Sequence, residues 1–329
     1  MSFPAPEISV IMGVNRDDGS LRITIDSILE QKFTDFEFII LNDGSDTNVS
    51  QVIEGYSDDR IIHVLLEKVG LTNALNIGIE RARGTFIARQ DAGDFSLQHR
   101  LEKQIEYMKT HQSLTLLGTG VRESTVDGEA LGDVTFPENS EEIKKHLSFQ
   151  NTFCHGTVMY LKKHIVEQGL YNNRFVKAQD YDLWLRLSEK YELQNLPDIL
   201  YNRVIDIDSI SIKTKYLQGE YARLARESAI SRSKGQKEPI IEVEATLSDE
   251  ENVVNENQVK GNYYLHCGRI LLSNRKKKKA RRFFLRSISA WPVNIFAYIF
   301  LTSTFIPLFL IDRIEGLWKD FQVKKGIQI

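Results

Sequence analysis

An apolar run followed by an amphipathic stretch of helical length recurs four times before about residue 113. "ISVIMGV" precedes "LRITIDSILEQ", whose apolar positions Leu21, Ile25, Ile28 and Leu29 carry helical spacing. "FEFIIL" precedes "NVSQVIEGY", "IIHVLL" precedes "LTNALNIGIERA", and "TFIAR" precedes "LQHRLEKQIEYMKTH". Strands alternating with helices predict right-handed crossovers and a mostly parallel sheet with helices on both faces. Ligands of such sheets bind beyond the carboxyl ends of the strands. Those ends read "NRDDG", "NDGSD", "EKVG" and "QDAGD", and three of the four are rich in Asp and Gly.

Beyond that point the alternation loosens. "LTLLGTGVREST", "EALGDVTF" and "GTVMYL" read as strands, while "SEEIKKHLSF" and "AQDYDLWLRLSEKY" read as helices with acidic first turns. Residues 213–232 suit a polar helix, 233–257 have linker composition, and helical patterning resumes at 258. The domains expected are therefore 1–232, a linker over 233–257, and an appendage over 258–329. A formal net charge of -3 carries no global nucleic-acid signature. Two cysteines, Cys154 and Cys267, lie far apart, which suits a reducing compartment. "MSFPAPEISVIMGV" has no basic region ahead of its short apolar run, so no signal peptide is expected.

Three acidic constellations are candidates for chemistry. Asp43-Gly44 after a strand can present a carboxylate at the sheet edge, or serve as a capping turn for the next helix. In "RQDAGD", Asp91 and Asp94 can share a hard divalent cation with substrate phosphates, or Asp94 can cap the helix that follows. In "KAQDYDLWLRL", Asp180 can act as a general base, or Asp180 and Asp182 can simply complement a helix dipole.

These segments, in this order and spacing, resemble the family 2 glycosyltransferases over about residues 7–232. "ISVIMGVNRDDGSLRITIDSILEQKFTDFEFIILNDGSD", "GLTNALNIGIERARGTFIARQDAGDFSLQHRLEKQ", "HGTVMYLKK" and "QDYDLWLRL" carry the resemblance. It implies an α/β fold of the GT-A type and inverting transfer of a sugar from a nucleotide-diphosphate donor to an acceptor hydroxyl. Asp43 would then hydrogen-bond the nucleotide base, and Val14 and Asn15 would line the base and ribose pocket. Asp91 would sit near the ribose and diphosphate, and Asp180 would be the catalytic base. Trp184 and His155 would lie on the acceptor side. Two positions depart from the family pattern. Asn42 stands for the first Asp of its Asp-Asp-Gly-Ser turn, and Gly93 for the Asp that usually ligates the metal. A divalent cation, Mg2+ or Mn2+, is still expected, held by Asp91 and Asp94. Without a metal, basic groups such as Arg89 and Lys177, or backbone donors, would have to meet the leaving group's charge.

The last quarter of the chain has a different character. "YYLHCGRILLSNRKKKKARRFFLRSISAWP" resembles a tetratricopeptide-type helical hairpin at Tyr264, Gly268, Ala280, Phe284 and Pro292. The basic run 275–286 abuts "SISAWPVNIFAYIFLTSTFIPLFLI", 287–311, which has no charged residue. That pairing predicts association with the cytoplasmic face of a membrane, as a single span or as a helix lying in the interface. Trp291 and Trp318 are candidate interfacial anchors. A lipid-linked saccharide acceptor in surface-glycan synthesis would fit. A nucleotide-sugar-binding protein or a membrane scaffold without transferase activity is the alternative.

Overall fold

The computed structural model describes residues 4–45, 47–207, 215–239 and 255–306. The chain divides into two compact units. One holds residues up to 121 together with 135–203, and the other holds 122–134 and 204 onward. The sequence reading draws its first boundary at 232.

In the first unit, strand β1 (Ile8–Val14) pairs in parallel with β2 (Phe36–Asp43) and β4 (Phe86–Arg89), and β2 pairs in parallel with β3 (Ile61–Leu66). Every residue of β2 is buried. That is what a parallel strand covered on both faces requires, and it explains the continuous apolar runs. The polar Glu37 survives there because Ser9 Oγ, the Arg83 amide and Arg83 Nε all donate to its carboxylate. One face of the sheet buries Val10, Met12, Phe38 and Ile40 against Ile25 and Ile28 of α1 (Leu21–Leu29) and Ile105 of α4 (Arg100–Thr110). On the other face α3 (Leu71–Arg81) comes so close that a Cβ on Gly78 would lie 2.7 Å from Leu41 Cδ1.

The other half of the sheet is antiparallel. The full order is β3-β2-β1-β4-β8-β6-β9-β5. Strand β8 (Met159–Leu161) runs against both β4 and β6 (Leu114–Thr125), and β5 (Phe95–Ser96) runs against β9 (Glu192–Ile205). The expected mostly parallel sheet is therefore a mixed one. Around these strands lie α2 (Thr47–Glu54), α5 (Ser140–Leu147), α6 (Lys162–Glu167) and α7 (Gln179–Ser188).

The second unit contains β7 (Ala130–Val134), which pairs with the end of β6, and helices α8 (Lys215–Ser233), α9 (Glu256–Ser273), α10 (Lys277–Ala290) and α11 (Ile295–Ser303). Helices α9 and α10 pack at close range. A Cβ on Gly268 would lie 2.5 Å from Phe284 Cε1, and one on Gly261 would lie 2.6 Å from Trp291 Cβ. The basic run is largely engaged within this unit. Lys279 and Arg282 pair with Glu129, Lys276 donates to the carbonyls of Ala130 and Leu131, Lys277 to that of Ile306, and Arg281 to Thr304. The charge-free stretch is not one continuous helix. Helix α10 ends at Ala290, a turn containing Pro292 follows, and the nine residues of α11 come next. No helix among the described residues is long and apolar enough to cross a membrane. Residues 307–311 and Trp318 lie outside the described residues.

Candidate functional site

Parallel register aligns the carboxyl ends of the strands. Val14 stands beside Asn42 and Asp43 beside Leu66, so Asn15, Asp43 and the turn after Arg89 share one edge. Val14 is buried and Asn15 is exposed. Asp43 is buried at the end of β2, where the Val69 amide donates to its Oδ1 at 2.6 Å and the Gly70 amide to its Oδ2 at 3.0 Å. Its carboxylate therefore latches the 67–70 loop before it reads anything. Gly44, at φ +66°, is required by the same approach, because a Cβ there would lie 2.6 Å from Lys68 Cβ. Asn42 has become part of the turn: its Nδ2 donates to Ser50 Oγ and its Oδ1 accepts from the Ser45 amide.

The turn after β4 is built on two buried arginines. Arg89 is 1% exposed. It donates to the Ile11 carbonyl, to Asp91 Oδ1 at 2.7 Å and to His155 Nε2 at 3.3 Å. Arg100 is wholly buried and donates to the Arg89 carbonyl, Ser96 Oγ, Gln90 Oε1 and Gln104 Oε1. All four acceptors are neutral, and desolvation pushes its pKa down to about 10. Gln90 Nε2 and the Asp91 amide both donate to Tyr201 Oη on β9. Burial, then Asp94 and Asp91, raise the Tyr201 pKa well above 10, so the phenol keeps its proton. Gly93 lies at φ +94°, with its amide on Thr24 Oγ1. Asp94 is buried, and its carbonyl accepts from Thr24 Oγ1 and Gln90 Nε2. The turn is fixed rather than free to swing. Arg89, Arg100 and Tyr201 were not among the residues singled out as the core of this site. Arg89 entered only as a cation for the leaving group, and here its guanidinium is committed to holding Asp91.

The third constellation meets the second at His155. This residue begins a 3-10 turn (His155–Thr157). Its Nε2 faces Tyr171 Oη at 2.8 Å as well as Arg89 Nε. Arginine can only donate, so Nε2 is the acceptor and the ring's proton belongs on Nδ1. Burial first, then Arg89, hold the imidazole pKa below 6.5, with Asp91 and Asp180 opposing. Asp180 is the second residue of α7, and its Oδ2 accepts from Asn151 Nδ2 at 2.7 Å. The residue before this helix, Ala178, is left-handed at φ +52°. Burial lowers the pKa of nearby Lys177. Asp182 points into the interior instead, fully buried and paired with Arg186. Trp184, expected on the acceptor side, has 0% exposure. It packs edge-on against His155 and Phe153, ring centroids 6.1 and 5.9 Å apart, and so bears on that side through those rings. The reason is its place on the inward face of an amphipathic helix.

No group of three or more His, Cys, Asp or Glu that could hold a metal occurs among the described residues. Asp91 Oδ1 is spent on Arg89, which leaves Oδ2 as that residue's ligating atom. One carboxylate fits a cation that takes most of its ligands from a diphosphate and water.

Comparison with known proteins agrees with this architecture. The family described as Glycosyl transferase family 2 matches residues 9–170. The O-antigen biosynthesis glycosyltransferase WbnJ of Escherichia coli is 39% identical over 60% of this chain and 76% of its own length. The putative glycosyltransferase EpsE of Bacillus subtilis is 32% identical over 62% of this chain and 75% of its own. Among solved structures, S. aureus TarS 1-349 in complex with UDP-GlcNAc superposes with TM-score 0.52 at 15% identity, covering 87% of this chain and 89% of that one. The mannosyltransferase PcManGT of Pyrobaculum calidifontis, in complex with GDP-Man and Mn2+, gives 0.53 at 12% identity, covering 93% and 81%. At these identities the structures speak to the fold alone.

Proposed function

The chain belongs to glycosyl transferase family 2, and from that premise we propose that it moves a sugar from a nucleotide-diphosphate donor to a hydroxyl of a saccharide or lipid-linked acceptor, with inversion. The observation that carries this reading is that Arg89, at the end of β4, holds both Asp91 and His155, while Asp180, at the start of α7, is oriented by Asn151 from the segment just ahead of His155. The two carboxylates have separate work. Asp91, tied by Arg89, marks the donor side. Asp180 opens α7 and takes the proton of the attacking hydroxyl. The acceptor oxygen, losing its proton to Asp180, bonds to the anomeric carbon on the face opposite the bond that breaks to the leaving diphosphate, and this inverts the centre.

Asp43, Val14 and Asn15 line the place for the nucleotide base and ribose. A divalent cation on Asp91 Oδ2, with Asp94 as the second candidate, would act as a Lewis acid on the diphosphate. Arg89 is committed inside the fold, so Lys177 is the candidate of the two named cations to share that charge. His155 stays neutral, and holds Tyr171 and Trp184 in place behind the base.

The location follows the same reading. Helix α11 leaves Ile295, Tyr298 and Ile299 exposed, as are Val293 and Phe305 beside it. This surface suits the interface of a membrane carrying a lipid-linked acceptor. Because much of the basic run is engaged internally, the apolar face would carry more of the binding than charge does. Sedimentation with anionic vesicles at low and high salt tests this, and retention at high salt is the expected result. The transferase reading is tested by donor hydrolysis and by transfer to glycan extracted from cells lacking this chain. A protein that binds nucleotide sugar yet does neither is a binding protein only.

A further inference from the structure

A cleft of about 810 Å3 opens on the first unit, between one face of α3 and the 168–174 loop. The α3 wall offers Asn73 and Asn76, and the loop wall offers Gln168, Asn172 and Asn173. Residues spaced three or four apart share a helix face, so Asn73, Asn76, Ile77 and Glu80 stand together. Asn76 fastens the two walls. Its Nδ2 donates to the Tyr171 carbonyl at 2.8 Å and to Asn173 Oδ1 at 2.9 Å, and its Oδ1 accepts from the Tyr171 amide at 3.0 Å. Behind the loop, Arg186 donates to the carbonyls of Gln168 and Leu170 while paired with the buried Asp182. The cleft is therefore pre-formed, which removes the ordering cost from any ligand it takes.

Its chemistry is that of a site for hydroxyls. Asn76 is spent on the walls and Asn73 gives one hydrogen to the Val69 carbonyl, which leaves the second Asn73 hydrogen and the Nδ2 groups of Asn172 and Asn173 to meet sugar hydroxyls. Val69, Ile77 and Leu170 supply apolar surface for the C–H faces of a pyranose. The lining charges are mixed: Glu80, Arg174 and Arg186, the last already paired with Asp182. Phosphate recognition would call for a cluster of cations that this lining does not present. The cleft also backs onto the site in two places. Val69, which lines it, donates its amide to Asp43, and Tyr171, which lines it, bonds His155 through its hydroxyl.

We propose that this cleft is a second saccharide-binding site, which holds sugar units of the acceptor chain distant from the hydroxyl that reacts. Its part in acceptor capture rests on the transferase reading; the amide chemistry of the cleft does not.

The test uses the full chain, wild type and Gln168→Ala/Arg174→Ala, both changes being at the cleft and away from the carboxylates. The probe is surface glycan released by mild acid from cells lacking this chain, sized into single sugars and fractions of about four or more. The expected result is a KM for the longer fraction raised about tenfold, ~1.4 kcal/mol, with the KM for single sugars and for the nucleotide sugar unchanged. An unchanged KM for the longer fraction, or an equal rise for both lengths, overturns the proposal. Should the wild type neither transfer nor hydrolyse donor, the transferase reading fails separately. Saturation-transfer NMR of the longer fraction then decides: signals lost in the double variant support the cleft, and signals equal in both proteins overturn it.

Discussion

Asn151 Nδ2 donates to Asp180 Oδ2 across 2.7 Å, joining the segment ahead of the 3-10 turn to the first turn of α7. One oxygen of the proposed base is thereby fixed, and the other is left to meet the acceptor hydroxyl. Asp180→Asn is expected to cut transfer by about 100- to 10,000-fold, the range for removal of a general base, while nucleotide affinity measured by calorimetry stays near wild type. Asn151→Ala should cost about tenfold through lost orientation alone. Turnover near wild type in Asp180→Asn would remove that residue from the mechanism. Asp182→Asn behaves differently: it breaks a buried pair with Arg186 and should lower stability by about 3 kcal/mol, read in a denaturant melt.

Gly156 admits no side chain. A Cβ at that position would lie 2.2 Å from Tyr201 Oη and 3.0 Å from Asp91 Oδ2. Since Tyr201 Oη accepts from both Gln90 Nε2 and the Asp91 amide, Gly156→Ala should push the donor turn out of place. A loss of about 1–3 kcal/mol is expected, the usual cost of overpacking, together with a raised KM for donor. Equal melting curves for variant and wild type would show that β9 yields at no cost.

Much of the first half of the fold was legible because its signal is local. Strands β1 to β4 are short apolar runs, and the helices after them carry clear periodicity. The antiparallel half was harder. Strand β9 was not read at all: Pro197 and Asp198 interrupt it, and polar residues such as Asn195 and Asn202 are buried along it. The carboxylates of the site were legible from the acid- and glycine-rich strand ends. Their supports were not. Tyr201 reaches the Asp91 turn only because β9 passes beside β5, and two buried arginines, one tied to Asp91 and the other to neutral acceptors, follow no sequence pattern. In the second unit the lysine run looked like a free cationic surface. Its partners, Glu129 and the carbonyls of Ala130 and Leu131, come from a hairpin far back in the chain.

Gly93→Asp would restore the acid that the family places at this position. The backbone opposes it. Gly93 sits at φ +94°, and its amide is held by Thr24 Oγ1. A residue with a Cβ in that region costs about 1–2 kcal/mol, less for Asn. Gly93→Asp should therefore melt lower than wild type, with Gly93→Asn between them, and should not tighten Mn2+ in a titration followed by the rate of donor hydrolysis. Wild-type activity should fall on chelation and return with added Mn2+. Tighter Mn2+ binding by a well-folded Gly93→Asp would show that the turn relaxes to accept the new ligand.

His155 gives the fold an acid limit whose sign is fixed by its surroundings. Burial and then Arg89 hold its pKa below the ordinary 6.5, so it is neutral in the folded chain. In the unfolded chain it titrates near that ordinary value. Below pH 6.5 the unfolded state therefore binds more protons than the folded one, and stability falls as pH falls. The slope from this one group can reach about 1.4 kcal/mol per pH unit until the folded pKa is passed. Above 6.5 its contribution is complete and flat. Protonation would also set a cation beside Arg89 and take from Tyr171 its acceptor, so donor-turn geometry should fail along with stability. Urea melts between pH 5 and 7.5 should show this limb in the wild type and a shallower one in His155→Asn, which keeps an acceptor there without a titrating ring. Parallel slopes in the two proteins would move the acid sensitivity to the carboxylates.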